Sequence, residues 1–153
     1  MLPTTRTPRA ELKTRFVRDG AVQVPEMPSA TRILIVDHDR RVGVALNFML
    51  DARGFDEVRV VRSAARAFAV AERFKPGLVF LDLELPDLES ISVAQQLRRD
   101  ARQRSLRLIA LTGHAEHAMR EEARVAGFER FLTKPVVQEE LDKILGKMAQ
   151  ATT

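Results

Sequence analysis

The chain of 153 residues contains no cysteine, no tryptophan and no tyrosine. Because cysteine is absent, the chain has neither a disulfide nor a thiolate zinc site, which agrees with a cytoplasmic setting. No apolar run approaches the roughly 18 residues that a membrane-spanning helix needs, so no membrane partner is expected. The content of 45% hydrophobic and 30% charged residues is ordinary and predicts one folded domain with a normal core.

The positive charge is not concentrated in any one stretch. The formal net charge is +4, yet the arginines and lysines are spread among acidic residues, and no basic block or interleaved aromatic pattern occurs. A solvated, arginine-rich surface is therefore the favoured interpretation, and a nucleic-acid partner is not expected.

The first segment, residues 1–31, differs from the rest of the chain. It carries prolines at 3, 8, 25 and 28 and little periodic apolar pattern. This composition predicts a disordered or loosely ordered extension, and an inert extension is favoured over a docking arm. The folded domain is predicted to occupy residues 32–150.

From Arg32 onward, short apolar runs alternate with amphipathic segments. The predicted strands are Arg32 to Asp37, Glu57 to Val61, Gly77 to Asp82, Leu106 to Leu111 and Phe128 to Leu132. The predicted helices are Asp39 to Ala52, Ser90 to Gln103, Ala115 to Ala126 and Val136 to Ala149. A further helix is predicted after an N-cap at Ser63, and it buries Ala64, Phe68, Ala71 and Phe74. This alternation predicts an α/β fold with a doubly wound, five-stranded parallel sheet of order 2-1-3-4-5, flavodoxin-like (βα)5.

Polar side chains follow the apolar runs of four predicted strands. The run before Asp82 is continuously apolar, as in a strand buried on both faces. Asp37, Thr112 and Lys134 stand at the ends of three other strands. Because ligands bind at the carboxyl edge of parallel sheets, two acids, a hydroxyl and an ammonium are expected to meet there.

This set of side chains suits phosphoryl chemistry. Asp37 and Asp82 are expected side by side, with Asp39 and Glu84 close, and clustered carboxylates repel unless a cation sits among them. Magnesium prefers such oxygen ligands. The ammonium of Lys134 would stabilise negative charge on the oxygens of a phosphoryl group during its transfer. An aspartate can be the nucleophile that accepts this group.

At these residues the chain resembles a response-regulator receiver domain of two-component signalling, of the stand-alone, single-domain type. The matching motifs are Ile35-Val36-Asp37, Leu81-Asp82-Leu83-Glu84-Leu85-Pro86, Ala110-Leu111-Thr112-Gly113 and Lys134-Pro135. Each motif alone is weak, but four in order, each at a strand end, are specific.

The resemblance implies a role for each of these residues. Asp82 would accept a phosphoryl group from a phosphohistidine on a histidine kinase or phosphotransfer protein. Asp37, Asp82 and the backbone carbonyl of Glu84 would hold Mg2+. Lys134 would pair with the phosphate, and a cis peptide would precede Pro135.

The resemblance also implies a conformational switch. Thr112 and the aromatic Phe131 would respond to phosphorylation and bias the surface formed by helix four, strand five and helix five. That surface would bind a downstream protein partner or form a homodimer. Glu84 and His114 would tune dephosphorylation and make it slow. Beyond its own phosphorylation and dephosphorylation, the protein would not be an enzyme.

Two positions depart from the family pattern. His38 stands where the family has a second acid, and an imidazole is a poor ligand for magnesium. Either Asp39 compensates and Mg2+ binding is only weakened, or the domain is a pseudo-receiver that is not phosphorylated and acts as a constitutive interaction or dimerisation module. A third interpretation has His38 recruit a softer metal with Asp37 and Asp82. Ser90, at a usual glycine position, is interpreted as the N-cap of helix three.

Overall fold

The structure is a computed structural model that describes residues 31–101, 105–113 and 117–152. The extension predicted for residues 1–31 lies outside the described residues, apart from its last position. The strands are β1 (Ile33–Val36), β2 (Val58–Val61), β3 (Leu78–Asp82), β4 (Arg107–Thr112) and β5 (Phe128–Thr133). The helices are α1 (Arg40–Ala52), α2 (Ala64–Phe74), α3 (Ser90–Asp100), α4 (His117–Val125) and α5 (Gln138–Thr152).

The five strands form one parallel sheet in the order β2-β1-β3-β4-β5. This order confirms the predicted flavodoxin-like fold. Strands β1 and β3 are neighbours, with Val36 opposite Leu81. The chain therefore leaves both strands at the same edge of the sheet, where ligands bind in open α/β folds.

The central strands β1, β3 and β4 are buried on both faces, as their continuous apolar runs predict. One core cluster joins alternate strand residues to α2, α3 and α4, including Leu34, Leu81 and Ala110. The other cluster joins the intervening strand residues to α1 and α5, including Ile35 and Phe80. The result is a three-layer domain that holds the strand ends in fixed positions.

The ends of several helices follow local sequence signals. The Ser63 hydroxyl accepts a hydrogen bond from the Arg66 N–H at 3.2 Å, which confirms the predicted N-cap of α2. Gly54 and Gly127 follow α1 and α4 with φ angles of 95° and 109°. This left-handed conformation strains any residue with a Cβ, and a side chain at 127 would also collide with Arg98.

Several helix boundaries differ from the prediction by about one to three residues, including the end of α5, which extends to Thr152 instead of Ala149. Helix α3 ends at Asp100, and residues 102 and 103 of the predicted helix lie outside the described residues. Helix α5 begins at Gln138, two residues later than predicted. The reason is that the Val137 carbonyl accepts the first helical hydrogen bond, from the Leu141 N–H at 3.1 Å, so the helix starts after it.

Candidate functional site

Four of the predicted site residues lie at the carboxyl edge of the sheet. Asp37 follows β1, Asp82 ends β3, Thr112 ends β4, and Lys134 directly follows β5. Asp37, Asp82 and Thr112 are buried, and the Lys134 side chain is only 12% exposed. Because the strands are parallel and in the predicted order, residues up to 97 positions apart in sequence come into contact.

Asp82 is the centre of this group. Its Oδ1 accepts hydrogen bonds from the Glu84 N–H at 2.8 Å and from Lys134 Nζ at 3.1 Å. Its Oδ2 contacts the His38 ring at 2.6 Å. Burial alone would raise the pKa of Asp82, but the bonds from His38, Glu84 and Lys134 outweigh it and lower that pKa. Asp82 is therefore an ionised carboxylate that is removed from solvent.

Asp37 lies next to Asp82 and shares the same lysine. Its Oδ1 accepts from the Asp39 N–H at 2.8 Å, and its Oδ2 accepts from Lys134 Nζ at 3.2 Å. Burial, helped by the negative charge of Asp82, raises the pKa of Asp37 despite the bonds to Asp39 and Lys134. The two carboxyls thus differ in how readily they ionise, although they stand in one cluster.

Lys134 is held between the two carboxylates. Burial would lower its pKa, but the hydrogen bond and charge of Asp82, together with the charge of Asp37, raise it. Its backbone N–H donates to the Thr112 carbonyl at 2.8 Å, which ties the end of β4 to the lysine. The peptide bond between Lys134 and Pro135 is cis, as the resemblance implies.

His38 covers the outer side of the site. Its side chain is 45% exposed, and Nδ1 lies 2.6 Å from Asp82 Oδ2 and 3.8 Å from Asp37 Oδ1. Because Asp82 is an ionised acceptor, the ring donates in the shorter contact. Arg62 Nε donates to the His38 carbonyl at 3.3 Å and fixes the backbone of this loop. The sequence indicates a histidine at the site, but not that its ring contacts Asp82.

Asp39 has a different role from the other acids. It is the N-cap of α1, accepting from the Arg41 N–H at 2.9 Å, and it also pairs with the Arg41 guanidinium. The hydrogen bonds from Arg41 lower the pKa of Asp39 to about 2. The group of side chains that could hold a metal comprises Asp37, His38 and Asp82. The Asp39 carboxylate is engaged by Arg41 instead.

The remaining predicted site residues are Glu84, Phe131 and His114. Glu84 is exposed, and its Oε1 would lie 3.9 Å from a Cβ placed on Gly113. Phe131 lies on β5 opposite Ala110, and it packs against the core cluster that contains Ala110. His114 lies outside the described residues, so its predicted role stays a prediction.

The interpretation of Ser90 as the N-cap of α3 is wrong. The cap is Glu89, and Ser90 is the first residue of the helix. The Ser90 hydroxyl instead donates to the backbone carbonyl of Asp82 at 2.5 Å, and Ser90 is buried. The physical reason is that α3 begins one residue earlier than a Ser90 cap would allow, which turns the hydroxyl back toward β3.

Asp87, in the loop after β3, is a further residue that sequence reasoning missed. Its carboxylate accepts hydrogen bonds from the N–H groups of Ala64 and Ala65 at the start of α2. The bond from Ala64 lowers the pKa of Asp87. Nothing local in the sequence predicts this contact, because the partners are 23 positions apart. Asp87 and Ser90 together hold the loop that follows Asp82.

The donor atoms at the site match magnesium only in part. The carboxylates of Asp37 and Asp82 and the Glu84 carbonyl are hard oxygen donors, as magnesium prefers. His38 offers nitrogen at the position where the family has an acid, and imidazole suits softer divalent ions. The oxygen donors therefore fit magnesium, whereas His38 does not.

Comparison with known proteins identifies the family. The model of the response regulator receiver domain matches residues 33–146, which is most of the chain. The chain therefore belongs to the response regulator receiver domain family of two-component signalling. Within the described residues, no helix has both the length and the apolar character that crossing a membrane requires.

Two curated relatives illustrate the range of the family. The chain is 32% identical over 110 residues to the DNA-binding dual master transcriptional regulator RpaA of Synechocystis sp., covering 72% of this chain. It spans only 45% of the length of RpaA. It is 27% identical over 107 residues to the polar-differentiation response regulator DivK of Brucella ovis, covering 69% of this chain and 86% of DivK.

Solved structures agree on the fold. A CheY-like receiver domain protein from Methanospirillum hungatei aligns with a TM-score of 0.71 at 24% identity, over 80% of this chain and 95% of that one. A similar match is the co-crystal structure of the histidine phosphotransfer protein Ypd1 and the receiver domain of Ssk1 from Saccharomyces cerevisiae. That match has a TM-score of 0.70 at 24% identity and covers 83% of this chain and 93% of the other.

Proposed function

We propose that the protein is a phosphoacceptor that takes a phosphoryl group from a phosphohistidine onto Asp82. The observation that carries the proposal is the buried Asp82 carboxylate, kept ionised with Lys134 Nζ at 3.1 Å from one of its oxygens. An ionised carboxylate is a nucleophile, and a fixed ammonium beside it stabilises charge on the phosphoryl oxygens in the transition state.

The transfer step balances as a simple displacement. A carboxylate oxygen of Asp82 forms a bond to phosphorus as the bond between phosphorus and the donor imidazole nitrogen breaks. The leaving imidazole keeps the electron pair and takes up a proton from water. Lys134 stabilises the equatorial oxygens, and a divalent cation on Asp37 and Asp82 would neutralise further charge there. The protein acts in this scheme as an acceptor and does not turn over a separate substrate.

A histidine kinase or a histidine phosphotransfer protein would be the donor. Support comes from the Ssk1 receiver, which has the same fold and was crystallised with the phosphotransfer protein Ypd1. Access to Asp82 would require His38 to move, since the ring contacts Oδ2. His38 is 45% exposed on a loop, so its ring has room to rotate away.

The signal would pass through Thr112 and Phe131 to the surface of α4, β5 and α5. In the sheet register, Thr112 is opposite Thr133 and Ala110 is opposite Phe131, so Thr112 and Phe131 share a face two positions apart. A Thr112 hydroxyl drawn to the phosphoryl group would change the space open to Phe131. Val125, at the end of α4, is 83% exposed and gives this surface an apolar contact for a protein partner or a second copy.

A second candidate function is favoured by one observation. The His38 ring sits at 2.6 Å from Asp82 Oδ2 and gives the carboxylate a positively polarised partner without a metal. If that contact persists, the domain is not phosphorylated and serves as a constitutive interaction or dimerisation module. His38→Asp distinguishes the two functions, because it should restore phosphorylation only where His38 blocks it.

The test is intact mass measurement after incubation with a divalent cation and a small acyl phosphate donor. The parent protein should gain one phosphoryl group, and Asp82→Asn should gain none. Asp100→Asn is the matched control, since Asp100 is an exposed carboxylate at the end of α3, outside the site. No gain in the parent together with a gain in His38→Asp would refute the phosphoacceptor function and support the interaction module.

Glu84→Gln, measured in the same way over time, should lose the phosphoryl group faster if Glu84 slows the attacking water.

A further inference from the structure

His38 places a nitrogen ligand in the acidic cluster of the site. One atom from each of His38, Asp37 and Asp82 lies within 4.8 Å of the other two. The His38 Nδ1 is 2.6 Å from Asp82 Oδ2 and 3.8 Å from Asp37 Oδ1. Ligand atoms about 2.1 Å from one shared ion and at right angles to each other lie about 3.0 Å apart. One of the two His38 distances is shorter than that value and the other is longer, so a small movement of the ring would place Nδ1 at similar distances from the two carboxylates.

The oxygens that face His38 are not the ones that bind Lys134. Lys134 Nζ contacts Asp37 Oδ2 and Asp82 Oδ1, whereas His38 faces Asp37 Oδ1 and Asp82 Oδ2. An ion among His38, Asp37 and Asp82 therefore leaves the lysine contacts in place. The ion would take the place of the Nδ1 proton, and the neutral ring would keep its proton on Nε2.

The donor set of one imidazole and two carboxylates determines which ions fit. Magnesium prefers oxygen and does not gain from an imidazole, whereas nickel, zinc and cobalt bind imidazole and carboxylate together. We propose that this site binds a divalent transition-metal ion with His38 Nδ1 as a direct ligand, in preference to Mg2+. The inference deepens the proposed function and rests on it, because the ion is assigned to the carboxylates that serve phosphoryl transfer.

The test measures nickel and magnesium binding by calorimetry without any phosphodonor. Every protein in this comparison, including the parent, carries His114→Gln and His117→Gln. These changes remove the other two histidines of the chain as adventitious ligands. Because nickel binds more tightly than magnesium to most sites, the decisive quantity is how the nickel-to-magnesium affinity ratio depends on His38. That ratio should fall at least about tenfold in His38→Ala, and His38→Asp should raise magnesium affinity while lowering nickel affinity.

Location is checked by anomalous scattering from crystals that contain nickel. A peak within bonding distance of His38 Nδ1 and of both carboxylates is expected. A nickel-to-magnesium ratio that is the same in the parent and in His38→Ala, or a nickel peak elsewhere only, would overturn the proposal. Circular dichroism of each variant verifies the fold, and His38 is partly exposed, so its substitution should leave the core intact.

The outcome is separable from that of the phosphorylation test. Nickel binding that depends on His38, found together with no phosphoryl gain, would refute the phosphoacceptor function and leave the metal site standing. Phosphorylation with magnesium, found with a ratio that His38→Ala does not change, would refute the metal site and leave the phosphoacceptor function standing.

Discussion

The protein has two clusters of charged side chains that differ in their burial and in their ion pairing. At the carboxyl edge of the sheet, the carboxylates of Asp37 and Asp82 are buried and bound by Lys134. Beside α2 and the edge strand β2, a cavity of about 740 Å3 has a lining that includes four exposed arginines, Glu72 and Phe74, and we call it the arginine groove. These arginines are Arg32, Arg59, Arg66 and Arg73. None of the four forms an ion pair with an acidic residue in the described part of the chain.

The difference shows how burial determines what a charge does. A buried charge is costly unless partners are fixed around it, so the fold must hold every member of the carboxylate cluster in place. An exposed guanidinium is hydrated and needs no partner. Substitutions in the first cluster should therefore have large and specific effects, and those in the arginine groove should have small ones.

The largest effect is expected for Lys134→Gln. Removing the ammonium that lies 3.1 Å from Asp82 and 3.2 Å from Asp37 should lower the phosphorylation rate by about 100-fold or more, because a preorganised positive charge is lost. The rate is measured by intact mass against time. Lys143→Gln is the matched control, since Lys143 is exposed and its ion pair with Glu140 is long, at 3.9 Å. Equal rates in the two variants would show that Lys134 has no role in transfer.

Ser90→Ala should mainly affect stability. The variant removes the buried hydrogen bond of 2.5 Å from the Ser90 hydroxyl to the Asp82 carbonyl. We expect the free energy of unfolding to fall by about 1–2 kcal/mol in urea denaturation. Ser92→Ala, which removes only an exposed bond of 3.4 Å to Glu89, should change it by less than about 0.5 kcal/mol. If both variants lose the same stability, the Ser90 contact is not a stabilising one.

Asp37→Asn should stabilise the protein in a pH-dependent way. The pKa of Asp37 is raised in the folded state, mainly by burial. The stability of the folded state is therefore highest below the ordinary carboxyl pKa, and it falls as the pH rises through the raised value. Asparagine removes this cost. We expect the free energy of unfolding to rise by on the order of 1 kcal/mol at neutral pH, and this gain to shrink at about pH 4.

Urea denaturation of Asp37→Asn at the two pH values makes this measurement. Asp100→Asn, at an exposed position of α3, serves as the control and should show little change. A loss of stability in Asp37→Asn at neutral pH would mean that the bond to Lys134 outweighs the cost of burying the Asp37 charge.

Much of the site could be predicted from the sequence, because parallel strands carry their final residues to one edge. The apolar runs before Asp37 and Asp82 place both acids there once the strand order is assumed, and the same reasoning brings Thr112 and Lys134 to that edge. The assumed order of strands was correct, and the family membership was predicted correctly from the motifs at the strand ends. These features depend on periodicity and strand direction, which a sequence displays directly.

The features that could not be predicted depend on side-chain direction. A serine at the start of a helix can cap it or bond elsewhere, and only the packed loop turns the Ser90 hydroxyl toward Asp82. The bond from Ala64 to Asp87 joins the start of α2 to a loop that is distant in sequence. The contact between His38 and Asp82 depends on a rotamer that the sequence does not encode locally.

The smallest effects are expected in the arginine groove, where two arginines can be compared. Arg59 stacks over Phe74 with 4.7 Å between the guanidinium carbon and the ring centroid, so Arg59→Ala should cost about 0.5–1 kcal/mol of unfolding free energy. Arg73→Ala removes a hydrated charge and should cost less than about 0.5 kcal/mol. Neither variant should change the phosphorylation rate from a small donor. A slower rate in Arg73→Ala would contradict this difference between the two clusters, because an exposed charge outside the site would then contribute to the chemistry of the buried one.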